Sequence, residues 1–188
     1  NVQVADIVID ANGIILRITD LQCPDRMPLG TFVDGRENLP NLQNWLYTRQ
    51  IPNNRNGVDA LEYLALTPYD ICSEALGLSL SDCHWLRPQD ADYSWEDVNF
   101  YNRLFDEEPG KLLFNKDVEG LRRAHKISWD VPESTTNGAL SKRWEIRNGR
   151  RYLTKGSTPP HWQQPYNEAI ASLLAEKLEI PHVDYHVE

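Results

Sequence analysis

The stretch Arg143-Trp144-Glu145-Ile146-Arg147-Asn148-Gly149-Arg150-Arg151-Tyr152-Leu153-Thr154-Lys155 decides how this chain is read. Arg143 to Arg147 reads as a strand carrying Trp144 and Ile146. Asn148-Gly149 is a hairpin signal, because both residues tolerate the left-handed backbone that a tight two-residue turn requires. Tyr152 to Lys155 reads as the returning strand. Working outward, Ile127 to Val131 is a strand candidate on one side. On the other, Gln164-Pro165 opens a helix running through Leu178, with Ile170, Leu173, Leu174 and Leu178 on one face. Ile180-Pro181 breaks that helix, and Val183 to Val187 is a last strand candidate.

Upstream the pattern is helical. A hairpin over Val2 to Thr19 is marked by Asn12-Gly13 between apolar runs. Residues 39–50 carry Leu42, Trp45 and Leu46 at helical spacing, and Val58 to Leu66 is a second helix. Thr67-Pro68 has the form of a cap and first-turn proline for a third, through Leu76, which Gly77 stops. Residues 79–88 read as a loop or short strand around Trp85. Ser94 is the N-cap of a fourth helix through Phe105. Residues 106–127 read as loops with short helical turns. The apolar positions Leu42, Trp45, Leu46, Leu61 and Leu64 form a stripe that needs covering, and the aromatics Trp45, Tyr47, Tyr63 and Tyr69 read as core.

Composition bounds the function classes. The chain is 188 residues, 40% hydrophobic and 25% charged, an ordinary globular balance. No run approaches a membrane span and no signal-peptide pattern is present, so a cytoplasmic location is expected. Cys23, Cys72 and Cys83 are widely spaced, which points to neither a disulfide framework nor a zinc site. The net charge is −9, which disfavours nucleic acid as a partner. Residues 1–110 hold 7 Arg, no Lys and 18 Asp or Glu, while residues 111–188 hold 12 Lys or Arg and 10 Asp or Glu. The shift from −11 to +2 places a boundary near residue 110 and suits an anionic ligand at the back. Asn1 opens the chain, Met27 is its sole methionine, and Glu188 follows a strand-like run, so the chain reads as a piece of a longer protein.

From residue 127 the expected order is strand, loop, strand, turn, strand, helix, strand. The loop, Pro132 to Lys142, holds Ser134, Thr135, Thr136 and Gly138, and its hydroxyl residues read as solubilising the loop. The third strand ends in Lys155, and Glu168 follows in the first turn of the helix. This is the order of a protein-kinase N-lobe, in which a flexible loop covers the ATP phosphates, a strand lysine holds them and a helix glutamate orients the lysine. The readings that need no ligand are a solvated Lys155, a Glu168 favoured by the helix dipole and a Gly138 that serves only a turn. His182, Asp184 and His186 alternate along the last candidate strand, but no further metal ligand is apparent beside them.

The stretch 137–188, with Lys-Arg-Trp-Glu-Ile, Gly-Arg-Arg-Tyr-Leu-Thr-Lys-Gly-Ser, Gln-Pro-Tyr-Asn-Glu-Ala-Ile-Ala-Ser and Ile-Pro-His-Val, resembles bacterial HipA-like serine/threonine kinases. Trp95-Glu96-Asp97-Val98-Asn99-Phe100 and Leu78-Ser79-Leu80-Ser81-Asp82 resemble the N-terminal region of the same group. The resemblance implies Lys155, Glu168 and Gly138 as nucleotide-binding residues, with ATP and Mg2+ as cofactors of a full-length parent. It also implies a toxin–antitoxin setting, with a protein partner or antitoxin. The loop has one glycine and is not GxGxxG. No catalytic-loop Asp-Asn set and no metal-binding Asp motif follow, so no catalytic residue is assigned, and the chain without a C-terminal lobe is expected to be inactive alone. The expected fold is α+β: an N-terminal β-hairpin and small helical module over 1–110, then an antiparallel sheet with one helix over 111–188. Two rivals stand beside it. One is a non-catalytic protein-interaction module. The other is a DNA-binding regulator, for which Arg49 and Arg55 are too few cations.

Overall fold

The Asn12-Gly13 hairpin forms as its sequence dictates. In the computed structural model, strands β1 (Ala5–Ile9) and β2 (Ile15–Leu21) pair antiparallel. Asp10 Oδ1 accepts from the amides of Asn12 and Ile14 across the turn, at 2.9 and 2.8 Å. The structure describes residues 1–123 and 127–188, with the side chains of Ala60, Tyr63 and Arg122 outside that description. The expected core role of Tyr63 and the 124–126 part of the polar segment therefore fall outside it.

A short ribbon, β3 (Phe32–Val33) with β4 (Arg36–Glu37), precedes helix α1 (Leu39–Tyr47), whose first turn is capped by Asn38. The expected second helix is present as a tight 3-10 helix over Val58–Leu64. Helix α2 (Pro68–Glu74) starts at the Thr67-Pro68 signal, where the Asp70 amide donates to Thr67 Oγ1 and the Thr67 amide to Asp70 Oδ2. Helix α3 (Trp95–Val98) is a single turn rather than a helix reaching Phe105. Asn99 ends it, with its side chain accepting from the amides of Tyr101 and Asn102 and donating back to Trp95 O. Residues 106–127 are more regular than expected, holding α4 (Glu108–Asn115) and α5 (Val118–Arg123).

Three apolar clusters among the described residues organise these elements, one of them holding Ala75, Leu78 and Phe100 with Trp95 and Val98 of α3. Leu42 and Leu46 of α1 pack with Ile15 and with Ile7, Ile9 and Ile18 of the hairpin. Leu61, Ile51 and Ile71 pack with Leu112, Leu113 and Trp129, so this second cluster draws on both sides of residue 110. Burying each such side chain contributes roughly 1.5–3 kcal/mol. The front helices are thus covered by the hairpin, by α4 and α5, and by Ile127 and Trp129. Arg49 is buried as well: it donates to Gly77 O at 2.6 Å, pairs with Asp82 and lies 4.3 Å over the Trp45 ring.

At the back, β5 (Lys142–Arg147) and β6 (Arg150–Lys155) form a two-stranded antiparallel sheet, followed by α6 (Gln164–Lys177). The α+β class stands. The wider sheet does not: neither Ile127 to Val131 nor Val183 to Val187 is a strand. Ile127 to Val131 is drawn into the core instead. The Trp129 amide donates to Glu74 Oε1 at 2.7 Å, and Trp129 and Val131 are buried. Residues 181–188 are all exposed, with the Tyr185 amide held by Ser172 Oγ. No helix among the described residues is long and apolar enough to cross a membrane.

Candidate phosphate site

The β5–β6 hairpin is built by its turn. Asn148 and Gly149 both take positive φ, 52° and 76°, the geometry whose twist matches the flanking strands. The register follows outward from Arg147↔Arg150 to Lys142↔Lys155. The outer edge of β5 faces no strand. Its Trp144 amide donates to Glu133 Oε1, and its Ile146 amide donates to Glu107 Oε1 at 2.8 Å. Two carboxylates thus occupy the edge where a further strand would pair. Because 144 and 146 direct their amides outward, 142, 144 and 146 belong to the non-hydrogen-bonded pairs, in which opposite side chains come closest.

Lys155 ends β6 and meets α6. Its Nζ lies 2.8 Å from Glu168 Oε1 and 3.1 Å from the Tyr185 hydroxyl, and 4.8 Å from the Tyr185 ring centre. Glu168 sits just past the first turn of α6 rather than within it, on the side of the helix that also buries Ser172. Partial burial acts to lower the Lys155 pKa, but the Glu168 carboxylate and Tyr185 outweigh it and raise it above the ordinary lysine value. The pair remains partly wet, with side chains 20% and 33% exposed.

The loop before β5 is not the open flap expected of it. Pro132–Thr135 is a buried 3-10 turn. Ser134 donates to Trp129 O at 2.5 Å, Thr136 to Pro132 O at 2.6 Å, and the Trp144 indole to Thr136 Oγ1 at 2.9 Å. These hydroxyls fasten the loop instead of solvating it. Gly138, at φ +103°, donates its amide to Asn137 Oδ1, and its carbonyl accepts from Arg55 Nε at 3.0 Å. A Cβ there would collide with Lys142 Nζ, which donates to Asn137 O. Glycine at 138 is what lets that ammonium lie against the turn.

Three site residues were not singled out from the sequence. Lys142 stands opposite Lys155, and counting the register out from Asn148-Gly149 would have found it. Its pKa is lowered to about 8 by burial first, then by Arg55 and Lys155, with Glu168 opposing. Arg55 reaches the Thr136 and Gly138 carbonyls, and burial lowers it to about 10 against the pull of Glu133. Glu133 is 1% exposed, and burial raises it to about 7 although the Trp144 amide holds it down. No local pattern announces these two: the partners of Arg55 lie 81 and 83 residues away in sequence, and Glu133 is marked out by its burial in the fold rather than by any spacing.

Among the described residues no group of three or more His, Cys, Asp or Glu side chains is placed to hold a metal ion. His182 Nε2 is 3.7 Å from Asp184, and its Nδ1 is 2.8 Å from its neighbour's carbonyl, Ile180 O. Cys72 is buried, which pushes its thiol up to about 12. Compared with protein-family models, with curated proteins and with solved structures, the chain matches none. The arrangement can present two cations, Lys155 and Lys142, on one face of a hairpin, with Arg55 buried against the 136–138 turn.

Proposed function

We propose that the β5–β6–α6 unit binds the phosphate chain of ATP, as the nucleotide-binding part of a HipA-like serine/threonine kinase. Lys155 is the phosphate cation and Glu168 the carboxylate that orients it. The single observation that supports this reading is the 2.8 Å contact between them, made from a strand end to a helix thirteen residues on. A lysine held this way can bridge a carboxylate and a phosphate. The residues fit a polyphosphate, since Lys142 adds positive charge opposite Lys155 and the buried Arg55 adds to the field at Lys142. Mg2+ keeps several of its waters and binds through substrate phosphates, so on this reading it arrives with the nucleotide. The 188 residues then bind nucleotide without transferring phosphate by themselves.

Calorimetric titration of the chain with ATP, with and without Mg2+, is the test. Saturable binding that Lys155→Ala abolishes is the expected result. Wild-type binding that Lys155→Ala leaves intact would remove Lys155 from the role, and no binding at all would remove the reading. Incubation with labelled ATP, Mg2+ and protein substrates should show no transfer above a buffer blank.

A second reading, a non-catalytic interaction module, is favoured by one observation. Helix α6 turns Tyr166, Ile170, Leu173, Leu174 and Leu178 to solvent, all more than half exposed, and directs Glu168 and Ser172 inward. Exposed apolar stripes of this kind mark contact surfaces. Absence of nucleotide binding in the titration would leave this reading standing.

A further inference from the structure

Like charges placed directly opposite on an antiparallel pair repel. Lys142 and Lys155 are such a pair, at the end of the β5–β6 ladder and in its closer-spaced set. Nothing about the turn requires this arrangement, and a neutral residue at 142 would fit the same register. Among the described residues the Lys142 ammonium also has no carboxylate within salt-bridge reach. Its described hydrogen bond goes to a backbone carbonyl, Asn137 O. The charged groups facing it are Arg55, which precedes the 3-10 helix, Lys155 on β6, and Glu168 on α6. Glu168 is already engaged by Lys155. Cations therefore outnumber the available carboxylate on this face, and an ammonium on a flexible four-carbon stem can leave a carbonyl for a stronger acceptor.

We infer that Lys142 is a second phosphate ligand, closing with Lys155 as a two-lysine clamp on a linear polyphosphate. The inference rests on the phosphate-site reading above and names the residue that would give the site its preference for a chain of phosphates over one. Lys155 holds one phosphate from the strand end. Lys142 releases Asn137 O and takes a neighbouring phosphate, relieving the repulsion between the two ammoniums. Gly138 leaves the room for the exchange, because a side chain there would occupy the position of Lys142 Nζ. The shared chemistry is the polyphosphate, whether inorganic or carried by a nucleotide. Partial loss of the Lys142 charge near pH 8 supports the assignment, since an arriving anion would restore it.

The test titrates the whole 188-residue chain with inorganic tripolyphosphate, ATP and AMP at pH 7.0 and at pH 9.5. Circular dichroism confirms that the variants fold. Lys142→Met should weaken tripolyphosphate and ATP about tenfold to a hundredfold and AMP far less, the loss expected of one charge-assisted contact. Wild-type affinity for tripolyphosphate should fall between the two pH values, while Lys142→Arg, which stays charged, should hold level. Any ionisation of the ligand's terminal phosphates over this range adds negative charge and would strengthen binding to a cation, so it cannot produce that fall. If Lys142→Met binds all three like wild type while Lys155→Ala does not, the clamp is wrong and the ATP reading survives. Tripolyphosphate binding without ATP binding keeps the clamp and removes the nucleotide. If the wild-type chain binds neither polyphosphate, both fall. Should Lys142→Met not fold, the pH comparison of wild type with Lys142→Arg decides alone: parallel profiles overturn the clamp.

Discussion

Lys155 Nζ and Glu168 Oε1 lie 2.8 Å apart, joining the last residue of β6 to the second turn of α6. The two side chains are partly hydrated, so the pair is worth little to the fold; exposed pairs contribute below about 1 kcal/mol. Lys155→Ala should therefore shift the melting temperature of the chain by no more than about 2 °C, even though the Tyr185 contact goes with it. Scanning calorimetry of both proteins measures this. A loss of many degrees would mark the pair as structural and weaken its assignment to a ligand.

Gly13→Ala should destabilise strongly. Gly13 has φ +80°, and a Cβ built on it would stand 2.5 Å from the Tyr69 ring of α2. The left-handed backbone costs a residue with a side chain roughly 1–2 kcal/mol, and the overlap adds about 1–3 kcal/mol. Urea unfolding should show a midpoint lowered accordingly. An unchanged midpoint would mean that the hairpin does not seat on Tyr69.

Both hairpins were legible because their Asn-Gly signals act locally: Asn148 and Gly149 both take the left-handed backbone of a tight turn, while Gly13 alone takes it in the longer first turn, which Asp10 closes. The Thr67 and Ser94 starts of α2 and α3, and the Gln164-Pro165 opening of α6, were legible for the same reason. Lys155 and Glu168 were singled out because the resemblance implies both, and because the strand-then-helix order sets a lysine and a glutamate thirteen residues apart. What failed depended on distant residues. Ile127 to Val131 has the residues of a strand, but the place beside β5 belongs to Glu133 and Glu107, and Glu74 takes the Trp129 amide. The loop over 132–142 looked mobile by its Ser and Thr content, yet Trp129, Trp144 and Arg55 fasten it. Arg55 gave no sign, since its partners lie 81 and 83 residues away, and Glu133 gave none because its burial is set by the tertiary fold.

The outward stripe of α6 yields a prediction of opposite kind. Leu173 and Leu174 are 60% and 58% exposed. Replacing both by glutamine, which has nearly the helix propensity of leucine, removes little buried area. Leu173→Gln with Leu174→Gln should leave thermal stability within about 1 kcal/mol of wild type, as differential scanning fluorimetry would report. A large loss of stability would show that the stripe is covered in solution, and sedimentation velocity on the same samples would identify a second copy as the cover.

Glu133 sets the last expectation, a dependence of stability on pH. Its carboxyl is 1% exposed, Oε1 accepts from the Trp144 amide, and Oε2 is buried with no hydrogen-bond partner. Burial is the largest influence and raises its pKa from 4.5 to about 7; the Trp144 amide and Arg55 pull it down, and Glu107 pushes it up. A carboxyl raised on folding binds more protons in the native state than in the unfolded chain between those two values. Its contribution is fully present below about pH 4.5 and is lost as pH rises through about 7. Glu133→Gln keeps an oxygen for the Trp144 amide and stays neutral, so it mimics the protonated acid at every pH. The variant should match wild type near pH 4.5 and exceed it increasingly towards pH 8. At that end the gain is on the order of a few kcal/mol at most, from one buried charge removed. Melting temperatures of the two proteins across pH 4.5 to 8 measure the difference directly, and subtracting them cancels every other titrating group. Parallel curves would show that Glu133 is ionised in the fold without penalty, held by Arg55 more firmly than its burial implies.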